Sequence, residues 1–343
     1  MRRLALVLLA LLASSSSAVS VLPAQVELRV TDLHSGRVVL PDGKLVSTGD
    51  GFRSFGPSYR LTVALHNLAA VNRYVAFAVD IHGRLHRTQD GGESWMTLPS
   101  APRLDRIVAA RPNRLFATTV AGRLTTSPDA GATWRTLPLS GVHSLCALDP
   151  RNLLLSRQAA ILRSTDGGQS FETVFKVPAP RIAKGSIELT CAHGGLWATL
   201  GDLGAGMSQQ AYVLLSSLDG GRTWLPRLAE QYFRYWHAVA RAADGPPSVP
   251  VVAPTSPSGV VIAGGCSACG AGTTNVMITR NGGRTWLAAY PKSVPPVLDN
   301  SEPIAIDFLD SRNGWLLVGA FSASPRILRT TDGGRTWAFL AEL

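Results

Sequence analysis

The octapeptide Ser217-Leu218-Asp219-Gly220-Gly221-Arg222-Thr223-Trp224 decides the fold, because its pattern recurs along most of the chain. Each copy reads hydroxyl residue, any residue, Asp or Asn, any residue, Gly, any residue, hydroxyl residue, aromatic ring. A degenerate copy, one residue longer, occupies residues 47–55. The six full copies carry these acid or amide residues and rings: Asp90 and Trp95, Asp129 and Trp134, Asp166 and Phe171, Asp219 and Trp224, Asn281 and Trp286, and Asp332 and Trp337.

The residue types in this pattern predict a hairpin turn. Glycine takes a positive φ, the Asp or Asn oxygen accepts N–H groups of the turn, and the ring folds back and is buried. A calcium loop is the alternative, but such loops need oxygen ligands at alternate positions and a closing Glu, which the octapeptides lack. We therefore expect structural turns, with no metal and no cofactor.

The sequence around each octapeptide predicts four short strands, A to D, with the octapeptide between C and D. The acidic positions of the first three full copies are 39 and 37 residues apart, close to the period of a four-stranded propeller blade. We predict an all-β, seven-bladed β-propeller of four-stranded antiparallel blades, closed by residues 25–30 beside the last blade. The predicted blades are approximately 25–58, 60–99, 103–138, 141–177, 185–230, 232–291 and 300–343.

The N-terminus has the order of an export signal. Two arginines precede the apolar residues 4–13, and small residues follow as far as Ser20. Cleavage after Ala18 and after Ser20 both fit. An uncleaved anchor is disfavoured because ten apolar residues fall short of the roughly 20 that span a bilayer. We expect residues 1–20 to be removed from a secreted or periplasmic protein, without a membrane span.

The composition excludes a disordered chain, since 45% of the residues are hydrophobic and only 16% are charged. Removal of residues 1–20 takes away two arginines and no acid, which lowers the formal charge from +10 to +8. This charge favours an acidic partner. Weak, salt-sensitive binding of nucleic acid is expected of any such cation, but export argues against a physiological role for it.

Insertions in the later blades indicate a binding surface. The predicted B-to-C insertions 201–211, 264–273 and 319–325, and the predicted D-to-A connections 227–237 and 291–302, belong to the end opposite the octapeptides. Loops on one sector of a rigid scaffold are where binding concentrates. An alternative is that the aromatic residues among the candidates anchor strand A of the sixth blade. The candidates are Gln209, Gln210, Tyr232, Arg234, Tyr235, Trp236, Asp299 and Glu302.

The four cysteines form two pairs. Cys266 and Cys269 predict a small loop disulfide in an exported chain, since zinc would need about four ligands. Cys146 and Cys191 occupy equivalent places in strand A of adjacent blades. A bridge needs Cα atoms about 4.4–6.8 Å apart, which is tight between blades, so we expect two free buried thiols.

The octapeptides resemble the Asp-box, or BNR repeat, of a large group of β-propellers, in which it is a structural turn remote from any active site. The last blade, residues 306–319 and 326–337, resembles the photosystem II stability and assembly factor propellers, a non-catalytic family that binds partner proteins. In photosynthetic members an Arg-rich patch is part of partner binding. Arg87, Arg163 and Arg329 share one strand-C place here, although a solvated strand face is the alternative.

Sialidases share the Asp-box fold, but their motif is missing. The Arg-Ile pairs at Arg106, Arg181 and Arg326 are never followed by Pro, and acids outside the turns are scarce. We therefore expect no catalytic residues and a monomeric, exported, non-catalytic scaffold that binds a protein, with an anionic glycan as the second choice of ligand. Glycan binding or sialidase-like glycoside hydrolysis is the alternative function.

Overall fold

The computed structural model describes residues 25–57, 63–178, 185–201, 203, 205–206, 209–230, 242–265, 274–289, 301–320 and 323–343. Every regular element in these ranges is a β-strand. Within them, no helix is long and apolar enough to cross a membrane. The candidates Tyr232, Arg234, Tyr235, Trp236 and Asp299, and the pair Cys266 and Cys269, lie outside the described residues.

The strands form seven blade sheets that follow one another along the chain, and one small two-stranded sheet. We name the four strands of each blade A to D in chain order. Blades 1 to 4 consist of β1 (Glu27–Val30), β2 (Gly36–Val39), β3 (Leu45–Thr48) and β4 (Gly56–Pro57); β5 (Leu65–Ala70), β6 (Ala76–Asp80), β7 (Leu85–Thr88) and β8 (Met96–Thr97); β9 (Leu104–Arg111), β10 (Arg114–Thr119), β11 (Arg123–Ser127) and β12 (Arg135–Ser140); and β13 (Ser144–Ala147), β14 (Leu153–Arg157), β15 (Ala160–Ser164) and β16 (Glu172–Lys176).

Blades 5 to 7 include one hairpin and one additional strand beyond the four-stranded plan. Strands A to D of blade 5 are β17, β18, β21 and β22. The elements of these blades are β17 (Ile187–Ala192), β18 (Gly195–Leu200), the hairpin β19 (Ala205–Gly206) and β20 (Gln209–Gln210), β21 (Val213–Ser217), β22 (Leu225–Glu230) and β23 (Ala243–Gly245); β24 (Val251–Ser256), β25 (Gly259–Gly264), β26 (Asn275–Thr279) and β27 (Leu287–Ala289); and β28 (Glu302–Phe308), β29 (Gly314–Ala320), β30 (Ala323–Thr330) and β31 (Ala338–Glu342).

The seven A strands form the inner wall of a closed ring. They contact one another in chain order, and β28 of the last blade contacts β1 of the first. Each blade is antiparallel apart from the added strand of blade 5. The predicted all-β, seven-bladed propeller is confirmed.

The hydrophobic core lies between neighbouring blades, because side chains alternate along each strand and every sheet presents apolar residues to both neighbours. Between blades 4 and 5, for example, Leu154 and Ile161 pack with Leu196 and Val213. The core is therefore a series of sheet interfaces around the axis.

The octapeptides form the predicted turns. In blade 5, Asp219 Oδ1 accepts the Ser217 hydroxyl at 2.8 Å and the Thr223 N–H at 2.9 Å, and Oδ2 accepts the Thr223 hydroxyl at 2.7 Å. The Ser217 oxygen accepts the Gly221 N–H at 2.9 Å. Gly220 and Gly221 have φ of +74° and +83°, a region that favours glycine. Equivalent bonds recur in the other full copies.

The degenerate copy has the same length as the others, so its predicted start at Ser47 and its extra residue are wrong. Thr48 donates to Asp50 Oδ1 at 2.9 Å, and Ser54 donates to Asp50 Oδ2 at 2.7 Å. Phe52 replaces the second glycine and has a φ of +70°. Its ring centroid lies 5.2 Å from that of Trp315 in blade 7, so burial of the ring between the first and last blades accompanies the unusual backbone.

Octapeptide turns and A-to-B turns lie at the same end of the ring, which we call the turn face. In six blades an N–H in the middle of the octapeptide donates to a carbonyl of the A-to-B turn in the same blade. The opposite end, with the B-to-C and D-to-A connections, is the loop face. The six donors are Gly51, Gly91, Ala130, Gly167, Gly282 and Gly333.

Blades 5 and 6 divide at a different place from the prediction. Strand A of blade 6 begins at Val251, later than predicted, and the proposed anchoring of this strand by Tyr232, Tyr235 and Trp236 concerns residues outside the described ranges and stays a prediction. Residues 243–245 instead form β23, which pairs in parallel with strand D of blade 5. The Tyr212 hydroxyl donates to the Pro246 carbonyl at 3.0 Å and holds this segment there.

Two predicted connections are partly strand. Residues 227–230 belong to β22, residues 319–320 belong to β29, and residues 323–325 belong to β30.

Cys146 and Cys191 form a disulfide, with Cα atoms 6.0 Å apart, so the expectation of free thiols is wrong. When strands A of blades 4 and 5 are aligned through their strand B partners, Leu145 corresponds to Leu189 and Cys146 to Thr190. Cys191 is therefore one residue beyond the position that corresponds to Cys146. Equivalent positions would point the same way around the ring. The offset of one turns the side chains towards each other, because successive side chains of a strand face opposite ways.

The carboxylates of the turns predict an acid-sensitive stability. The hydrogen bond from the Ser54 hydroxyl, with others from the turn, lowers the pKa of Asp50 to about 2. Because this pKa is lower in the folded state than in the unfolded state, the carboxylate stabilises the fold. That contribution is fully present above the unfolded pKa of 3.8 and is lost as the pH falls towards about 2. Asp50→Asn should therefore lose stability relative to the parent at neutral pH, with a deficit that shrinks towards pH 2. Urea denaturation at several pH values measures it.

A natural amide provides the matched control, because Asn281 accepts the Thr285 N–H at 3.0 Å in the same geometry. Asn281→Asp should gain stability relative to the parent at neutral pH, and this gain should shrink as the pH falls towards 2. An unchanged difference between Asp50→Asn and the parent from neutral pH to pH 2 would show that the carboxylate charge contributes nothing.

Removal of the disulfide should be costly. Cys146 and Cys191 are 45 residues apart in sequence, and loss of such a cross-link typically costs about 2–5 kcal/mol of unfolding free energy. We expect that loss in denaturant unfolding of the double variant Cys146→Ser, Cys191→Ser. The double variant Cys266→Ser, Cys269→Ser, which affects a loop of few residues, should lose less. Alkylation of Cys146 or Cys191 in the unreduced, denatured protein would contradict the assignment.

Candidate functional site

A channel along the ring axis contains a cavity of about 760 Å³, lined by strand A of all seven blades. Small and apolar residues, such as Ala69, Ala109, Ala147 and Val252, contribute much of the wall. The few polar side chains of the A strands therefore determine what this cavity could bind.

Several of these polar side chains are used to join the blades. Glu27 Oε1 of blade 1 accepts the Leu68 N–H of blade 2 at 3.1 Å, and Asn67 Oδ1 of blade 2 accepts the Ile107 N–H of blade 3 at 2.8 Å. In each case the acceptor directly precedes a buried apolar residue of its strand A, and it binds the backbone of strand A in the following blade. We call this the capping position.

The same bond joins blades 4 and 5, and a shifted version closes the ring. The Ser144 hydroxyl oxygen accepts the Leu189 N–H at 3.0 Å. Blade 7 has Ala305, which has no side-chain acceptor, at the capping position. Two residues later, Asp307 Oδ2 accepts the Val30 N–H of blade 1 at 2.7 Å.

Blades 3, 5 and 6 depart from this rule, and two of them build a polar cluster instead. Their capping positions hold Arg106, Glu188 and Val251. Arginine and valine have no acceptor. Arg106 Nη1 lies 2.6 Å from Glu188 Oε1, so the two side chains meet across blade 4.

Blade 4 completes this cluster, which we call the mouth cluster: Arg106, His143, Ser144 and Glu188. Ser144 donates to Glu188 Oε1 at 3.1 Å, and His143 Nε2 lies 3.7 Å from Oε2. The side chains of His143 and Glu188 are 45% and 43% exposed. Since Glu188 pairs with Thr199 near the end of strand B, the cluster lies at the loop-face mouth of the channel and is open to solvent.

The turn-face end of the channel is narrowed by a side chain from blade 5. His193 Nε2 lies 2.7 Å from the Phe308 carbonyl oxygen of blade 7. Burial raises the pKa of the neighbouring Asp307, against the lowering effect of the Arg29 charge. A contact between blades 5 and 7 therefore crosses the turn-face end of the channel, whereas the mouth cluster at the loop face is exposed to solvent.

Charges in the channel are locally balanced. Arg29 Nη2 lies 2.5 Å from Glu27 Oε2, and Arg106 is paired with Glu188. The large positive charge of the chain is therefore not concentrated in the cavity.

The predicted binding surface is continuous through its described members. Gln210 is exposed, and its N–H donates to the Pro247 carbonyl at 3.1 Å. One residue further, Ser248 exchanges two hydrogen bonds of 2.9 Å with Gly265 of blade 6. A side chain on Gly265 would meet Cγ of Glu302 in blade 7 at 3.4 Å. The backbone of Gln209 lies beside Gln210 in the same hairpin.

This chain of contacts brings Gln209, Gln210 and Glu302 into one sector of the loop face, above blades 5 to 7. The mouth cluster occupies blades 3 to 5 of the same face. The candidate site is thus a sector of the loop face beside a polar channel mouth.

Arg87, Arg163 and Arg329 do not form a patch. They belong to blades 2, 4 and 7 and are half-buried. The Arg163 Nε donates to the Gly220 carbonyl of the next blade at 3.1 Å, and the Arg329 guanidinium lies over the Trp315 ring at 5.3 Å. Their described contacts are structural.

Two other groupings of reactive residue types are also structural. Tyr212 is fully buried, and burial together with the charge of Glu230 raises its pKa well above 10. His86 is buried between Asp80, at 3.0 Å, and the Thr97 hydroxyl, at 3.1 Å. This second chain of bonds ties strands B, C and D of blade 2 together, away from the channel.

Sequence reasoning identified neither the mouth cluster nor the capping position. The signal is an alignment of the blades on the first hydroxyl residue of each octapeptide. Because that residue pairs with a fixed residue of strand B, the alignment gives the register of strand A. That alignment places Glu27, Asn67, Arg106, Ser144 and Glu188 at one position.

The structure is similar to several solved propellers. It superimposes on the structure described as YCF48 bound to D1 peptide with a TM-score of 0.59 and 17% identity, over 91% of this chain and 95% of that one. YCF48 from Cyanidioschyzon merolae gives a TM-score of 0.57 and 16% identity, over 91% and 97%. A GH74 enzyme of Niastella koreensis gives 0.64 and 14%, over 93% of this chain but 54% of that one.

No protein-family model matches the sequence, and no curated protein matches it in sequence. At identities of 14–17%, the likeness concerns the fold. The chain is a seven-bladed β-propeller with the fold shared by YCF48 and the propellers of GH74 enzymes.

Proposed function

We propose that this chain is an exported, non-catalytic scaffold that binds a segment of a partner protein on its loop face, beside the channel mouth. The observation that carries the proposal is the continuous sector from Gln210 through Ser248 and Gly265 to Glu302. These contacts connect described residues of three successive blades on the face that also carries the mouth cluster. The ring beneath it is closed, so the sector rests on a fixed support.

The chemistry of the mouth suits a polypeptide segment. Arg106, His143 and Glu188 offer both donors and acceptors within one cluster, and the channel wall beside them is largely apolar. Such a mixture of a few polar groups and apolar walls is typical of binding clefts. The structural likeness to YCF48 in complex with a D1 peptide is consistent with this choice.

A non-catalytic role is supported by the way the reactive groups are used. Glu27 caps a neighbouring blade and pairs with Arg29. Tyr212 is inaccessible. Glu188 is more exposed than Glu27, the other paired carboxylate of the channel, and it lies 2.6 Å from Arg106. A general acid or base needs an accessible proton-transfer group with a suitable pKa, and these contacts work against one.

Glycan binding or hydrolysis is the second candidate, favoured by the likeness to GH74 enzymes and by the exposure of Glu188. A glycosidase of the usual kind would need a second carboxyl group at a defined separation from the first. The test below separates the two functions.

Site-specific photo-cross-linking tests the protein-binding proposal. A photo-reactive amino acid at Gln210 should give one stoichiometric protein adduct in the native envelope fraction. The same amino acid at Arg135, an exposed residue on the outer strand of blade 3, is the matched control and should give none. Adducts in equal yield from both positions, or from neither, would contradict binding at the loop face.

A turnover assay tests the alternative. The purified protein should not hydrolyse a fluorogenic sialic acid substrate or xyloglucan oligosaccharides. Hydrolysis that disappears in Glu188→Gln, a variant that keeps the size of the side chain, would replace the scaffold proposal with a glycosidase.

A further inference from the structure

One corner of the turn face, between blades 5 and 6, differs in charge from the rest. Asn281 stands where each of the other six octapeptides has an acid. Three arginines surround this uncharged turn: Arg280 and Arg284 within it, and Arg227 on strand D of blade 5. We call these three the arginine corner.

The three arginines lie around the blade 6 turn: Arg227 packs on it from blade 5, whereas the Arg280 guanidinium reaches Gly333 in the turn of blade 7. A side chain on Gly283 would meet Cβ of Arg227 at 2.6 Å, so the stem of Arg227 lies directly on the blade 6 turn. Burial and the positive charge of Arg284 lower the pKa of Arg227. Among the described residues, no carboxylate forms an ion pair with any of the three. Arg227 Nε donates to the Ser216 hydroxyl at 3.0 Å, so the one side-chain hydrogen-bond partner that the three have in the described ranges is uncharged.

Exposed leucines border the arginine corner. Leu218 lies against Gly282 of the blade 6 turn and is 47% exposed. Leu225 and Leu287 directly follow the octapeptide rings of blades 5 and 6 and are 51% and 53% exposed. These are three of the nine large apolar side chains that the described part of the chain exposes. A cationic centre with an apolar border distinguishes this corner.

The shape of this end of the ring favours a broad ligand. All octapeptide turns have the same length, and the A-to-B turns are short. A surface with exposed leucines and with arginines that have no carboxylate partner among the described residues matches an anionic bilayer, where phosphates meet the cations and apolar side chains enter the acyl boundary.

We propose that the arginine corner, with Leu218, Leu225 and Leu287, docks the propeller on the surface of an anionic lipid bilayer. The proposal concerns the face opposite the proposed protein-binding sector and does not depend on it. Docking at this corner would leave the loop face directed away from the lipid.

Vesicle co-sedimentation of the full chain without its first 20 residues tests this docking. Binding should occur to vesicles of phosphatidylglycerol and phosphatidylcholine in equal parts, and not to phosphatidylcholine alone. The double variant Arg280→Gln, Arg284→Gln should bind about 25-fold more weakly, from about fivefold for each basic residue near the surface. Raised salt should weaken the parent and leave less difference between the two.

A matched control distinguishes the corner from general basicity. Arg111→Gln with Arg151→Gln removes two exposed arginines from the turn face of blades 3 and 4, and should bind as the parent does. The double variant Leu218→Ser, Leu287→Ser should weaken the part of vesicle binding that remains at raised salt. Thermal unfolding should show all variants to be folded.

Three results would overturn the proposal. They are absence of binding to the anionic vesicles, equal loss in the corner and control variants, and competition by soluble polyglutamate as effective as that by the vesicles, which would indicate an acidic protein as the ligand. None of them bears on cross-linking at Gln210.

Discussion

The free inner edges of seven A strands are the constraint on which this structure depends. Each such edge carries backbone N–H groups with no partner strand, and buried polar groups without a partner are costly. The chain meets this cost with side chains, since Glu27, Asn67 and Ser144 each accept an N–H of the following blade. Asp307 does the same from the last blade to the first. The bonds that satisfy the edges are thus also the bonds that set one blade against the next.

This device is applied unevenly, and the unevenness gives the channel its chemistry. Where Arg106 and Glu188 occupy the capping position, they bind each other and leave a polar, solvent-exposed group at the mouth. Two of the blades that lack the cap, blades 5 and 6, also have insertions predicted at the loop face. Regular blades hold the ring together, and the irregular ones carry the features available for binding.

Local signals in the sequence were sufficient for the fold, because each octapeptide contains its own turn chemistry. Asp219 and its equivalents bind groups within four residues in the chain. The disulfide and the mouth cluster depend on the register between blades, where an offset of one residue reverses the direction of a side chain. For that reason Cys146 and Cys191 could not be paired from spacing alone. The end of blade 5 was predicted wrongly for a related reason. It depends on the parallel pairing of β23 with β22, two segments that are separated in the sequence.

The added strand β23 also changes how this molecule can meet a copy of itself. An outer strand with unpaired backbone groups is a template on which another sheet can grow. On blade 5 that template is already occupied by residues 243–245, and Tyr212 anchors the covering segment through Pro246. Pairing of another sheet with residues 228–230 would therefore first have to displace β23. The chain thus covers part of an outer edge in the sector where its longest insertions are predicted.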